Sequence, residues 1–156
     1  MDYRLFDDTL QITLPDEFED MKEELVNMLY QAENKPQIIK VSKDGKVHIT
    51  FSKTTMAVTK EVLPQLIKMI KQNFHRMQPA SEFYEEKCER LEQIEYCWLD
   101  FKGFALDGEL YYMNAYPIVN GKMYHVSFCT SFDKKDEWKP QMIEILKTMK
   151  DLTREA

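Results

Sequence analysis

Three runs rich in apolar and aromatic residues that favour β-strands, each broken by polar positions, follow one another in the second half of the chain. They are Ile94–Phe104, Glu109–Ile118 and Lys122–Phe132. Asp107-Gly108 and Asn120-Gly121 separate them, and such pairs favour hairpin turns because they tolerate a positive φ. The pattern therefore predicts an antiparallel meander.

Further strands are predicted upstream of this meander. Phe83–Leu91 is rich in Lys and Glu, which is typical of an edge strand because charged side chains discourage unwanted pairing. Two more hairpins turn at Asp7-Asp8 and at Asp44-Gly45. Their predicted strands are Tyr3–Phe6 with Leu10–Leu14, and Pro36–Ser42 with Val47–Lys53.

Helical periodicity occurs in three segments. Apolar residues recur at three- and four-residue steps over Thr59–Met77, which predicts an amphipathic helix with Thr59 as its N-cap and Pro64 in its first turns. A shorter helix fits Met21–Tyr30. A last amphipathic helix presents Trp138, Met142, Ile145, Leu146 and Met149 on one side. We therefore expect one α+β domain spanning residues 1–156, with an antiparallel β-sheet meander flanked by two long amphipathic helices.

Turn geometry gives a register for each hairpin and so divides the sheet into two faces. A three-residue loop at Asp44-Gly45 would pair Val41 with Val47 and Ile39 with Ile49, and the same loop at Asp107-Gly108 would pair Phe101 with Met113 and Leu99 with Ala115. A two-residue turn at Asn120-Gly121 would pair Ala115 with Val126. The predicted core face then holds Leu99, Phe101, Met113, Ala115, Val126 and Phe128.

The opposite face is the candidate functional surface, because aromatic bodies with polar tips suit contact with a ligand or peptide. The alternative is a sheet face that a helix or loop partly covers and whose polar groups are satisfied locally. The candidate residues are Trp98, Asp100, Tyr112, Asn114, Tyr116, His125 and Ser127.

Catalytic and metal-binding interpretations are weak. Ser127, His125 and Asp100 suggest a triad, but residues two apart on a strand lie roughly 6.5–7 Å apart, too far for direct hydrogen bonds. His125 and Cys129 would lie about 13 Å apart along a strand, which prevents both from binding one zinc ion. No glycine-rich phosphate loop occurs. We therefore expect no catalytic residue, metal site or cofactor.

Charge and cysteine content bear on partners and compartment. The 156 residues carry a formal net charge of -6, which argues against nucleic acid as the main partner because phosphate binding needs a basic surface. No apolar run reaches the roughly 20 residues of a membrane span, and the first residues lack the pattern of a secretory signal. Cys88 and Cys97 would face each other only if Glu92-Gln93 formed a two-residue turn, and these are poor turn residues, so the sequence leaves the pairing open. We expect both thiols to be reduced in a cytoplasmic protein.

The order of elements resembles that of the PsbP/DcrB-like superfamily, which includes the Ran-binding Mog protein. The segments that carry the resemblance are LFDDTLQITLPDEFEDM, NKPQIIKVSKDGKVHITF, FKGFALDGELYYM and DEWKPQMIEILKTMK. They are most similar to small cytosolic bacterial members of unassigned function. The resemblance implies an antiparallel sheet flanked by helices and a binding role, since members include photosystem subunits, a small-GTPase cofactor and chaperones for secreted effectors.

Three functional hypotheses follow. The first is a non-catalytic adaptor that binds another protein through the polar-aromatic sheet face. The second is a cytosolic chaperone that shields an apolar segment of an exported effector, and the third is a small-molecule-binding protein or enzyme with a loop-built site. A homodimer is compatible with all three. Met69, Met142 and Met149 fit core packing, with a methionine-rich groove for apolar helices as the alternative.

Overall fold

A computed structural model describes residues 1–29, 36–106 and 108–154, which form ten strands and three helices. The helices are α1 (Glu23–Leu29), α2 (Leu63–Met77) and α3 (Lys135–Leu146). The strands are β1 (Asp2–Leu5), β2 (Leu10–Thr13), β3 (Phe18–Asp20), β4 (Ile38–Ser42), β5 (His48–Ala57), β6 (Glu82–Arg90), β7 (Glu95–Ala105), β8 (Gly108–Val119), β9 (Lys122–Ser131) and β10 (Lys150–Asp151).

The strands form two antiparallel sheets. The larger has the order β3-β4-β5-β9-β8-β7-β6, and the smaller has the order β1-β2-β10. The predicted hairpins and the meander are confirmed, and β6 lies at an edge of the larger sheet as its charge predicted. Pairing of β5 with β9 was not predicted, because strands so distant in sequence leave no local turn signal.

The main core lies on one side of the larger sheet, which we call the first face. There β5, β9, β8 and β7 pack against the smaller sheet and α3. Burial of this apolar surface is the main stabilising contribution to the fold. The largest fully buried side chains of this core include Leu10, Ile12, Leu14, Ile49, Phe51, Ile94, Tyr96, Tyr111 and Phe128.

The opposite side, which we call the second face, is covered by two separate helices. At the β7 and β8 end, α2 buries Leu63 and Ile67 in a cluster with Leu99 and Phe101. At the β4 end, Val26 of α1 belongs to a small cluster with Ile39 and Val41. The strands between these two clusters form the floor of a channel, which is described below.

The helices differ from the prediction. The expectation of two long amphipathic helices is not matched, because α2 has 15 residues, α3 has 12 and α1 has 7. Thr59 is not the N-cap of α2: the amide of Val62 donates to the Thr59 carbonyl (3.2 Å) in a turn, and the helix starts after Val62. Met149 is buried beyond the end of α3, whereas Met69 is 52% exposed and is therefore not core packing.

Two of the three predicted registers are wrong by one residue. Val41 pairs with His48 rather than Val47, although Gly45 adopts the predicted left-handed φ of 76°. Phe101 pairs with Tyr112 rather than Met113. In both hairpins one strand, β4 or β7, is buried along most of its length on both sides, so an apolar pattern cannot select one register. The Asn120-Gly121 register is confirmed, with positive φ at both residues.

Candidate functional site

The register of β7 divides the predicted surface residues between the two faces. Trp98 pairs with Ala115 and is 2% exposed, and Asp100 pairs with Met113 and is fully buried. Their predicted place on the open face with Tyr112 is therefore wrong, because a shift of one residue moves every side chain of a strand to the other side. The remaining predicted residues share the second face: Tyr112, Asn114, Tyr116, His125 and Ser127.

Asp100 is held by a set of polar contacts within the core. Its Oδ2 accepts a hydrogen bond from the Tyr111 hydroxyl (2.7 Å) and lies 2.8 Å from the Lys139 ammonium. Its Oδ1 accepts from the backbone amide of Glu85 (2.8 Å), beside an irregularity in the β6–β7 pairing. Lys139 also contacts the Glu85 carboxylate at 2.6 Å. A buried carboxylate needs such partners to offset its lost hydration. Through these contacts Asp100 links α3 to the edge strand β6.

We call the floor between α1 and α2 the interhelical channel. It runs along the second face of β5, β9 and β8, and its side chains are partly exposed and carry hydroxyl, amide, imidazole or thiol groups. None of the floor residues is Asp, Glu, Lys or Arg. The residues that define it are Thr50, Ser52, Asn114, His125, Ser127 and Cys129.

Two cross-strand pairs organise this channel. Ser127 Oγ donates to Asn114 Oδ1 at 2.6 Å. The rings of His125 and Tyr116 are stacked, with their centroids 4.9 Å apart and their planes 5° apart. Both pairings follow from the Asn120-Gly121 turn and were predicted. The positions of Thr50 and Ser52 opposite Ser127 and His125 were not, because they depend on the long-range pairing of β5 with β9.

His125 is neutral at physiological pH. Burial lowers the pKa of its imidazole to about 4, since the charged form loses its hydration. Its Nε2 atom is buried and has no hydrogen-bond partner within the described part of the chain. The imidazole therefore brings an uncharged, polarisable surface to the channel.

The other end of the channel contains a half-buried thiol and an open pocket. Burial raises the pKa of Cys129 to about 11, so the protonated thiol is a poor nucleophile. The pocket has a volume of about 650 Å³, and its wall includes Leu29 of α1, Leu110 of β8 and His48 of β5. Lys46, Asp133 and Lys134 also border this pocket, so this end combines apolar and charged walls with an uncharged polar floor.

This geometry does not assemble a catalytic triad from the suggested residues. Asp100 lies on the first face, on the opposite side of the sheet from Ser127 and His125. Among residues 1–29, 36–106 and 108–154, no group of three or more His, Cys, Asp or Glu side chains is arranged to hold a metal ion. No helix in those ranges is long and apolar enough to cross a membrane.

Cys88 and Cys97 form a disulfide between β6 and β7. The cross-strand pairing that the sequence left open is present, and the expectation that both thiols are reduced is wrong. Cys97 is buried in the cluster beneath α2, whereas Cys88 is exposed at the sheet edge. The bond joins the edge strand to the body of the sheet.

Comparisons with known proteins show the fold. PsbP from the cyanobacterium Synechocystis sp. PCC 6803 (CyanoP) superposes with a TM-score of 0.68 at 9% sequence identity, covering 96% of this chain and 90% of that chain. The fold is PsbP-like. PA94 of Pseudomonas aeruginosa, a protein of unknown function, has a TM-score of 0.51 at 11% identity, covering 95% of this chain and 94% of its own.

A third similar structure is LpqN of Mycobacterium tuberculosis, which is involved in cell envelope biogenesis. Its TM-score is 0.52 at 8% identity, with 90% of this chain and 82% of that chain covered. No family model and no curated protein matches the sequence. Identities this low establish the shared architecture and leave function to be argued from the site.

Proposed function

We propose that the protein is a non-catalytic binding module that holds a segment of another protein in the interhelical channel. The observation that carries the proposal is the uncharged floor between α1 and α2, whose polar side chains are partly exposed. Such a floor offers hydrogen bonds without the large desolvation cost of buried charge. Its hydroxyl and amide groups can pair with the backbone of a bound segment.

The size of the channel fits an extended peptide. From His125 to Ser131, β9 advances six residues, or roughly 20 Å at 3.3 Å per residue. A partner segment of about six residues would span the floor and reach the pocket beside Leu110. A net charge of -6 makes nucleic acid an unfavourable partner in this proposal as well.

Filling the channel tests the proposal. The immobilised protein is used to capture partners from extract of its native cells, in parallel with Ser127→Trp, which places an indole on the floor. Thr55→Trp is the matched control, because Thr55 is exposed near the far end of β5. We expect a stoichiometric partner to be retained by the wild type and by Thr55→Trp and to be lost by Ser127→Trp.

Circular dichroism and thermal unfolding establish that both variants are folded. If Ser127→Trp retains the partner as well as the wild type does, the channel is not the binding site. A wild-type protein that captures no protein would contradict the protein-binding role and favour a small ligand.

A second candidate function is a chaperone for an apolar segment. Three apolar side chains of α1 are exposed in the described structure: Leu25 by 44%, Met28 by 78% and Leu29 by 58%. Leu29 also lines the pocket at the channel end. If this surface binds an apolar client, Met28→Lys with Leu29→Lys will abolish protection of an aggregating apolar peptide, whereas Ser127→Trp will reduce it less.

The cellular compartment in which the protein acts is a separate part of the proposal. Cytoplasmic localisation was expected from the sequence, but a cross-strand disulfide is typical of proteins that mature in an oxidising compartment. Alkylating free thiols in intact cells before lysis would show whether Cys88 and Cys97 are oxidised in the compartment where the protein acts.

A further inference from the structure

The helix α2 differs in charge from the rest of the chain. It contains Lys68, Lys71, His75 and Arg76 and no Asp or Glu, although the whole chain carries a net charge of -6. A helix that packs on one side against a sheet leaves its opposite side to solvent. The exposed side of α2 is therefore a local basic surface on an acidic protein.

An open pocket of about 600 Å³ lies along this basic side, between α2 and the edge strand β6. Lys68, Lys71, Gln72 and His75 border it from the helix, and Ser81, Phe83 and Glu86 border it from the sheet side. The Lys71 ammonium lies 5.4 Å from the centroid of the Phe83 ring. The pocket thus combines cationic groups with a half-buried aromatic surface.

The cationic groups of this pocket are only partly compensated. Lys71 lies 3.8 Å from the carboxylate of Glu86, a separation at which a surface ion pair contributes little. Lys68 forms no ion pair with the described residues. An additional carboxylate can therefore approach Lys68 and Lys71 without first displacing a strong internal partner.

We propose that the pocket between α2 and β6 binds an acidic segment of a partner protein that carries an apolar or aromatic side chain. The carboxylates would contact Lys68 and Lys71, and the apolar side chain would pack on Phe83. From Lys68 to His75 the helix rises about 10 Å, which matches about three residues of extended chain. Charge complementarity supports a protein over nucleic acid or a membrane, because the basic area is small and the rest of the chain is acidic.

Fluorescence anisotropy with labelled peptides tests this proposal. The probe is a fluorescein-labelled Glu-Glu-Phe-Glu-Glu peptide, and the control peptide is Lys-Lys-Phe-Lys-Lys. We expect saturable binding of the acidic peptide that weakens as salt rises from 50 to 500 mM, because salt screens exposed charges. Lys68→Glu with Lys71→Glu should weaken binding by at least about tenfold, on the scale of 1.4 kcal/mol per factor of ten.

The matched control is Lys147→Glu with Lys150→Glu, which makes the same charge change at two exposed positions after α3, away from this pocket and from the channel. That variant should bind the acidic peptide within about twofold of the wild type, apart from the general effect of net charge. Equal weakening in both double variants, or equal binding of the basic peptide, would overturn the proposal. So would binding only to vesicles containing phosphatidylglycerol, which would indicate a membrane surface instead.

This site is independent of the interhelical channel. None of the substituted lysines belongs to the channel floor, and Ser127→Trp should leave binding of the acidic peptide unchanged. Failure of the peptide experiment would therefore not count against the channel, and failure of the channel experiment would not count against this pocket.

Discussion

Asp100 of β7 and Lys139 of α3 form an ion pair of 2.8 Å in which the carboxylate is fully buried. Removing one partner of such a pair leaves an uncompensated buried charge, and the cost is typically about 3–5 kcal/mol. Because Asp100 also accepts hydrogen bonds from Tyr111 and Glu85, its replacement should disturb the whole contact between α3 and the sheet.

We therefore predict that Lys139→Ala lowers the free energy of unfolding by at least about 2 kcal/mol in urea titration, given that Lys139 is partly exposed. Lys134→Ala is the control, because among the described residues Lys134 forms an ion pair only with Glu137, at 3.8 Å on the surface. It should change stability by less than about 0.5 kcal/mol. Similar effects of the two substitutions would show that the Asp100 contact does not stabilise the fold as inferred.

The position of Asp100 also shows where sequence reasoning fails. Strand boundaries, turns and the edge position of β6 could be predicted because they depend on local periodicity and turn residues. The faces of β7 could not, since residues 96–101 are buried on both sides and either register buries apolar groups. The polar contacts that stabilise the buried carboxylate of Asp100 come from β6, β8 and α3, and no local sequence pattern indicates them.

The candidate site shows the same difference between features that local sequence predicts and features that depend on tertiary contacts. The pairs Tyr116–His125 and Asn114–Ser127 were predicted because one well-defined turn fixes them. Thr50 and Ser52 were missed because β5 reaches β9 only through tertiary structure. The local turn thus places the four floor residues of β8 and β9, and long-range pairing adds the two of β5.

Titration of His125 should make the protein less stable in mild acid. Burial lowers the pKa of His125 from 6.5 to about 4 in the folded protein. The unfolded chain therefore binds this proton more readily, so stability is at its full value above pH 6.5 and falls as the pH drops through the interval to about 4. A shift of this size corresponds to a loss on the order of 3 kcal/mol.

The measurement is urea unfolding between pH 7 and pH 4, compared with His125→Phe, which keeps an aromatic ring beside Tyr116. The variant should lose the His125 contribution between pH 6.5 and 4.5. Burial also lowers the pKa of His48, so part of the pH dependence in this interval should remain, and carboxylates account for the change below it. An unchanged slope in His125→Phe would assign the effect to other groups.

Reduction of the Cys88–Cys97 disulfide should loosen the sheet edge. A disulfide that closes a loop of about ten residues stabilises a protein by at most about 3 kcal/mol in the chain-entropy model. We predict a lower thermal midpoint for Cys88→Ser with Cys97→Ala than for the oxidised wild type. The wild type in reductant should approach the variant, and a midpoint that is insensitive to reductant would indicate that the bond does not restrain β6.

The two sulfur atoms of the disulfide differ in their exposure to solvent. This difference predicts that the disulfide of the folded protein is reduced slowly. Cys97 is 1% exposed, so an external thiolate can attack only at Cys88 and must expel the Cys97 thiolate into an apolar cluster. Mass spectrometry after timed alkylation should show much faster reduction in urea than in the folded state. Equal rates would mean that burial of Cys97 gives no protection.

Gly103 of β7 gives a local test of packing at the channel rim. A Cβ atom at this position would lie 2.8 Å from Cε2 of Tyr112, whose ring is stacked on Phe101 with centroids 5.1 Å apart. Gly103→Ala should therefore push the Tyr112 ring out of this stack and cost about 1–3 kcal/mol, as overpacking usually does. Combining it with Tyr112→Ala removes the obstructing ring, so the added cost of the alanine should fall to near zero. An equal cost in both backgrounds, measured by urea unfolding, would show that the Tyr112 ring is not what requires glycine at position 103.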